Sequence, residues 1–259
     1  TTFEQDLADE LFDVVTDTVD ESGESPVITD LPVADMAGCE YVFYVISSPD
    51  TGAGEPQGGG FGPGAAPVDP DAPKYLPISL QYRPYTADTA RDPSLAGDIL
   101  EDGTKENRSY RGQSVTASNE ADLDRLIEIR EALPDAKIIL AVEATNNAQC
   151  FHEIEPYADV ILWSWASSGR NFEQAYGRIL KGEVEPTGLL NAQHPANMET
   201  VEASYEDVPR DVECYTDSEG NTYDFCFGLN WAGVIDDERT ATYKAAPLTE
   251  PETEVTPGE

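Results

Sequence analysis

The chain has 259 residues, of which 39% are hydrophobic, and this length is enough for one large domain or two small ones. Its 51 acidic and 15 basic residues give a net charge of −36. That charge excludes the phosphate-neutralising surface of a nucleic-acid-binding protein and disfavours binding to an anionic membrane. No apolar run approaches the roughly 20 residues of a membrane-spanning helix, so we expect no membrane insertion by this chain.

The same charge indicates the setting in which the protein works. A strongly acidic surface favours solubility in a salty or extracellular medium, and we expect an extracellular or cell-surface location. The first residue is Thr1 rather than Met, which indicates that the start was processed, trimmed or cut from a longer chain.

The first 34 residues predict an amino-terminal helix followed by a linker. Within residues 3–19 the apolar side chains recur at helical spacing, as in a surface helix that packs on another element. This stripe consists of Leu7, Leu11, Phe12, Val15 and Val19. Residues 39–47, CEYVFYVIS, are aromatic and β-branched and lie between Gly38 and Pro49, which predicts a buried strand.

A Gly- and Pro-rich insertion follows at about residues 49–73. This composition cannot bury a core of its own. The insertion contains no GK[ST] sequence, so a phosphate-binding loop is not supported. Residues 75–82, YLPISLQY, predict a short strand, and a polar stretch then continues to residue 118.

From Asn119, which is placed to cap a helix, helical and strand patterns alternate. The predicted elements are a helix over 120–133, a strand over 137–144, a short helix over 147–158, a strand over 159–166 and a helix over 171–182. The last helix should bury Phe172, Ala175, Tyr176, Ile179 and Leu180, and Gly182 is positioned to stop it.

This order predicts an α/β fold. We expect a three-layer sandwich with a mostly parallel, flavodoxin-like sheet, right-handed crossovers and helices on both faces. The sandwich domain is placed at residues 35–235. Residues 236–259 are acidic and Pro-rich, and we expect them to form a disordered tail.

Four cysteines raise the question of a disulfide. Cys214 and Cys226 flank a hairpin-like segment, where they either form a disulfide or remain two reduced, buried thiols. There is no CxxC or HxxxH spacing, so a zinc site is not supported. No cofactor and no metal are predicted.

Two tryptophans and a histidine also occur in the second half of the chain. Trp163 and Trp165 lie two residues apart in a predicted strand and should share one face, where we expect them to pack in the core. His194 directly precedes Pro195 and is expected in a loop.

Several motifs between residues 139 and 231 occur in a defined order. A strand ends in the turn from Ala144 to Asn147, and the next strand ends near Trp165. A helix leads into GEVEPTGLL at 182–190, and FCFGLN follows at 225–230. In order and spacing these motifs resemble the carboxy-terminal α/β-sandwich domain of family 3 glycoside hydrolases, the β-glucosidase family. The resemblance covers about residues 35–235.

The chain also departs from that family's pattern. Asn191 stands where the family usually has Pro, and Cys226 stands where Tyr, Gly or Pro is usual. A helix-preceding L-P-x-x-Q motif is not clearly present before residue 119.

The resemblance implies a role in the hydrolysis of glycosidic bonds. Members use two carboxyl groups, a nucleophile and an acid/base. The nucleophile belongs to a separate (β/α)₈ barrel, which 259 residues cannot hold together with the sandwich. The chain would therefore complete the carbohydrate-binding site of a missing barrel domain, in cis or in trans. It would not hydrolyse glycosides alone.

Residues 80–98, LQYRPYTADTARDPSLAGD, correspond to the loop that supplies the acid/base in many members. Some members have P-Y-T-E there, and this chain has PYTA at 84–87. Asp88 is the nearest carboxylate and the acid/base candidate, with Asp92 and Glu101 as further candidates; a solvated turn aspartate is the alternative.

Aromatic and guanidinium groups in the same loop suit sugar rings and hydroxyls. The candidate substrate-binding residues are Tyr82, Arg83, Tyr85 and Arg91. Alternatively, these side chains pin the long excursion to the domain surface.

A second functional class stays open. The chain is alternatively a stand-alone, degenerate sandwich that acts as a carbohydrate-binding or interaction module, which the missing glutamate of the P-Y-T-E motif favours. A flavodoxin-like nucleotide binder ranks third because no phosphate loop is present.

Overall fold

The computed structural model describes residues 13–20, 22, 27–52, 72–145, 148–165, 171–205, 208 and 210–243. The helical stripe predicted within residues 3–12, most of the Gly- and Pro-rich insertion and the tail after residue 243 lie outside these ranges.

The amino-terminal region contains a hairpin where we predicted a helix up to residue 19. Strand β1 (Thr18–Asp20) pairs antiparallel with β2 (Val27–Thr29), and Val19 lies opposite Ile28. Residues 13–17 are not helical either. The helix prediction is therefore wrong for these residues, because β-branched side chains on two separate segments pair across strands.

Strand β3 (Tyr41–Ser47) confirms the first predicted strand. The strand predicted over residues 75–82 is wrong: this segment has no strand, and Pro77 in its middle cannot donate a ladder hydrogen bond. The excursion instead contains a two-residue strand, β4 (Tyr85–Thr86), which pairs antiparallel with β5 (Ser114–Val115).

Helix α1 (Glu120–Ala132) begins after Asn119, as predicted, but the predicted cap is not formed. The Asn119 carboxamide instead donates to the carbonyls of Ser47 and Ser48 at 3.2 Å each and accepts from the Asp50 amide at 2.9 Å. Asn119, directly before α1, is thus hydrogen-bonded to the carboxyl end of β3.

Strands β6 (Lys137–Ala144) and β7 (Val160–Trp165) complete a three-stranded parallel sheet in the order β3-β6-β7. This confirms the predicted α/β fold and its parallel sheet. Between β6 and β7 the predicted short helix is replaced by two 3₁₀ turns, Phe151–Glu153 and Glu155–Tyr157, and the second of these contains Pro156. Proline lacks the amide needed inside a continuous helix.

Helix α2 (Asn171–Leu180) follows β7, and Gly182 stops it with φ of +72°. Tyr176 is buried as predicted, whereas Ala175 is exposed. The side chain of Phe172 lies outside the described part of the chain.

The two faces of the sheet are covered unequally. On one face, Leu123, Leu126 and Ile129 of α1 pack on buried strand residues together with the 3₁₀ segment between β6 and β7. On the other face, Tyr176 contacts Phe43 at 5.8 Å between ring centroids, and its hydroxyl lies 2.6 Å from Ser164 Oγ. The described contacts of α2 with this face therefore run through Tyr176, and the three-layer sandwich stays a prediction beyond the confirmed α/β fold.

The second face is only partly covered. Val45 of β3 and Val160 of β7 are 45% and 46% exposed, whereas Val142 on the first face is fully buried. Aliphatic side chains of a parallel sheet are normally buried on both faces, so this face exposes an apolar side chain on each of its two outer strands.

The remaining elements are short. They are helix α3 (Met198–Ala203), the hairpin of β8 (Leu229–Asn230) and β9 (Gly233–Val234), and helix α4 (Glu238–Tyr243). Helix α4 corrects our boundary for the disordered tail at residue 236. Arg239 donates to the carbonyl of Thr187 at 2.9 Å, and Thr240 is buried, so residues 236–243 belong to the folded domain.

The GEVEPTGLL and FCFGLN motifs contact each other directly. Leu190 N donates to the carbonyl of Phe227, and Cys226 N donates to the carbonyl of Leu190, both at 2.7 Å. A Cβ atom added at Gly228 would lie 2.3 Å from the carbonyl oxygen of Gly188, closer than atoms can approach. Glycine at 228 therefore permits the close approach of the two segments.

Gly228→Ala is expected to lower the free energy of unfolding by about 1–3 kcal/mol, because the backbone must move to relieve the overlap. Urea unfolding monitored by circular dichroism measures the change. Gly188→Ala is the matched control, since a Cβ at Gly188 meets nothing within 4 Å. Equal effects of the two substitutions would contradict the proposed contact.

Candidate functional site at the carboxyl edge of the sheet

Parallel strands present their carboxyl ends at one edge, where ligands of open α/β sheets bind. Residues 79–83 cross this edge. The Tyr82 hydroxyl donates to the carbonyl of Ser47, the last residue of β3, at 2.7 Å. Cys150 N, just beyond β6, donates to the carbonyl of Leu80 at 2.8 Å. The loop predicted to line a site therefore begins at the edge where a site is expected.

Tyr82 does not present its ring to a ligand. Its exposed fraction is 0%, and it belongs to the main hydrophobic core. The backbone amides of Tyr82 and Arg83 both donate to the carboxylate of Glu153, at 2.5 and 3.1 Å. The prediction that Tyr82 contacts substrate is wrong. Because its side chain is buried in the core at the sheet edge, it anchors the loop.

The other three predicted binding residues also make intramolecular contacts. Arg83 forms ion pairs with Glu120 and Asp124 of α1 at 3.0 and 2.7 Å. The Tyr85 hydroxyl donates to Glu202 at 3.0 Å. These contacts agree with the alternative in which the side chains pin the excursion to the domain.

Arg91 is held in the same way. Its guanidinium lies 4.3 Å from the ring centroid of Tyr205 and donates to the carbonyl of Ser204 at 2.8 Å. The cation and the ring attract each other, so Arg91 fixes the excursion against the end of α3.

The predicted carboxylates lie in separate turns. Asp88 is exposed in the turn after β4, where its backbone amide donates to the carbonyl of Thr86 at 2.9 Å. Asp92 Oδ1 accepts from the Asn107 carboxamide at 2.8 Å, and Glu101 is exposed in a third turn. Asp88 has the environment of a solvated turn aspartate, the alternative that the sequence left open.

A buried polar cluster behind the loop was not predicted. His194 is fully buried, and its ring makes edge contacts with Phe151 and Trp163 at 4.9 Å between centroids. Its Nδ1 atom lies 3.2 Å from the backbone amide nitrogen of Gln149 and 3.3 Å from the carbonyl oxygen of the same residue, so it accepts from the amide or donates to the carbonyl according to the tautomer. Burial lowers the pKa of His194 from its ordinary value of 6.5 to about 4, so the ring is neutral at pH 7.

Four polar atoms of this cluster are buried without a hydrogen-bond partner: both carboxamide atoms of Gln149, Trp163 Nε1 and His194 Nε2. Buried polar atoms in native proteins are nearly always paired, so their concentration on His194 and on two residues that contact it is unusual. Sequence reasoning assigned Trp163 to the core and His194 to a loop, and no signal in the sequence pointed to Gln149.

Trp165, predicted to pack in the core, is 40% exposed at the end of β7. The strand ends there, so its side chain extends beyond the covered part of the sheet. Trp163, two residues earlier, contacts the core as predicted.

The residue just before the loop at 80–98 is hydrogen-bonded to the segment that follows β3. Thr51 Oγ1 donates to the carbonyl of Ser79 at 3.1 Å and accepts from the Ser79 amide at 3.0 Å. Ser48 Oγ lies 3.0 Å from Thr145 Oγ1 and accepts from the Thr145 amide at 2.9 Å, joining the ends of β3 and β6. Short hydroxyl side chains thus hold the carboxyl edge together.

The candidate disulfide is not formed, because Cys214 and Cys226 are both free thiols. Thr216 pairs with Thr222 across the hairpin, so the register places Asp224, not Cys226, opposite Cys214. Gln193 bridges Cys214 Sγ and Asp224 Oδ1 at 3.3 and 3.0 Å. The hairpin register therefore places the Cys214 sulfur beside Gln193 and not beside Cys226.

Within the described ranges, no group of three His, Cys, Asp or Glu residues could hold a metal ion. No helix among the described residues is long and apolar enough to span a membrane. Fold and site together define an α/β domain with a parallel sheet and a polar, loop-covered carboxyl edge. No protein-family model, curated protein or solved structure matches the chain.

Proposed function

We propose that this chain is the non-nucleophile domain of a β-glucosidase-like glycoside hydrolase. It completes the carbohydrate-binding site of a separate (β/α)₈ barrel domain. The observation that carries the proposal is the partly uncovered sheet face with Val45 and Val160. Such half-exposed valines on a sheet face of a strongly charged protein are what a docked partner domain would cover.

The contact between the two motifs supports the same proposal. The segments at 182–190 and 225–230 carry the resemblance to family 3 glycoside hydrolases, and they are hydrogen-bonded through Leu190, Cys226 and Phe227. The two segments whose order along the chain resembles that family are thus also joined into one structural unit.

In the assembled protein the excursion after Tyr82 forms the lip of the sugar site. Tyr82, Arg83, Tyr85 and Arg91 set its shape, and Asp88 remains exposed to supply the acid/base. The barrel supplies the nucleophile. A general acid must reach the leaving oxygen at hydrogen-bond distance, which an exposed turn residue on a docked lip can do.

Mass and activity test the proposal together. The native gene product is expected to be far heavier than the 28.1 kDa of this chain and to hydrolyse aryl glycosides, whereas the chain alone does not. In the full protein, Asp88→Asn is expected to lower kcat about 10²-fold, the lower range for a general acid. Asp92→Asn is the matched control because Asp92 is engaged with Asn107. A native species near 28.1 kDa would overturn the proposal.

One observation favours the alternative of a stand-alone carbohydrate-binding or interaction module. Ala87, at the position of the glutamate in P-Y-T-E, is fully buried, and burial disfavours a charged carboxylate there. A stand-alone module would be monodisperse and would bind sugars by itself. Titration with glucose and oligosaccharides, followed by fluorescence of the exposed Trp165 and Trp231, distinguishes the two functions.

A further inference from the structure

The unpaired polar atoms behind the lip restrict which chemical group can be their hydrogen-bond partner. The backbone amide nitrogen and carbonyl oxygen of Gln149 lie 3.2 and 3.3 Å from His194 Nδ1. The ring nitrogen that carries the hydrogen sets which of these two bonds forms, so Nε2 is a donor in one neutral tautomer and an acceptor in the other. Trp163 Nε1 is a donor in either case.

The side chain of Gln149 provides both an acceptor and a donor. Its carboxamide has an acceptor oxygen and a donor nitrogen, both buried and without partners. The missing partner must therefore accept hydrogen bonds from N–H groups and also donate one to a carbonyl. A carboxylate only accepts, and an ammonium only donates, whereas a hydroxyl group does both.

We propose that Gln149, Trp163 and His194 form a binding site for a hydroxyl group, provided by an internal water molecule or by a polyol. The site lies directly behind the lip, because Cys150, next to Gln149, is hydrogen-bonded to Leu80. The rings of Phe151 and Trp163 pack against His194, which is fully buried from solvent. The inference is independent of the proposed glycosidase role and stands if that role fails.

Two crystal structures of the chain test the proposal, one grown without any polyol and one with glycerol. We expect density about 2.7–3.2 Å from at least two of the unpaired atoms. Density in both crystals identifies water, and density only with glycerol identifies a polyol hydroxyl. Empty space in both crystals, or direct pairing among the three side chains, would overturn the proposal.

Solution NMR of the indole N–H groups provides a second readout, since the chain has three tryptophans. Gln149→Met is expected to shift the Trp163 indole signal, because it removes part of the hydroxyl site. Gln193→Met is the matched control: Gln193 already donates to Asp224 and Val212, and the Trp163 signal should stay in place. If the control shifts that signal as much as Gln149→Met does, the shared site is refuted. The wild-type crystals decide the question if either variant fails to fold.

Discussion

Replacing Tyr82 by alanine is expected to lower the free energy of unfolding by about 3–5 kcal/mol, the cost of truncating a large aromatic side chain in a core. The ring is fully buried against the main core, and its hydroxyl ties the loop to the end of β3. The loss is large because both the packing and the hydrogen bond to Ser47 disappear. Urea unfolding at neutral pH, monitored by circular dichroism, measures the change.

Tyr82→Phe separates these two contributions. It keeps the ring and leaves the Ser47 carbonyl without this donor, so we expect a loss of about 1 kcal/mol. If Tyr82 instead contacted sugar, Tyr82→Ala would weaken sugar binding and leave stability nearly unchanged. That pattern would contradict the structural role assigned here.

Acidification is expected to destabilise the protein through His194. Its pKa is about 4 in the folded protein, against an ordinary value of 6.5, because burial disfavours the charged ring. Between these values the unfolded chain binds a proton that the folded chain does not. The contribution of His194 to the free energy of unfolding therefore falls as the pH drops from 6.5 to about 4, by about 3 kcal/mol in total, and then levels off.

His194→Gln removes this titration, so its stability should depend less on pH within that window. His152→Gln is the matched control and has a further use, since it leaves His194 as the only histidine. Proton NMR of that variant is expected to give a titration midpoint of about 4. A midpoint near 6.5, or identical pH dependence of stability in His194→Gln and the parent, would refute the enclosed, neutral histidine.

The sheet could be predicted from the sequence because each strand is a continuous apolar run with clear boundaries. Residues 41–47, 137–144 and 160–165 are buried or half-buried along most of their length, and such runs indicate parallel strands. The amino-terminal hairpin could not be predicted in this way. Its pairing of Val19 with Ile28 is set by cross-strand contacts, whereas the local spacing favoured a helix.

The loop at 80–98 was singled out by the family resemblance, and its position at the carboxyl edge came only from the structure. Composition does not reveal the direction of a side chain, so Tyr82 was assigned to the ligand side. The polar cluster escaped prediction for a different reason. Gln149 and His194 meet across 45 residues of sequence, and neither has a local pattern that indicates the contact.

The double hydrogen bond between Thr51 and Ser79 has a consequence for how the domain can change. It joins the residues on either side of the Gly- and Pro-rich segment. The two chain ends of that segment are therefore fixed to each other at the edge of the sheet. Lengthening a closed loop costs only about 0.6 kcal/mol per doubling. The chain between these flanks can therefore grow, shrink or accept a foreign domain during evolution while the strand ends stay in register.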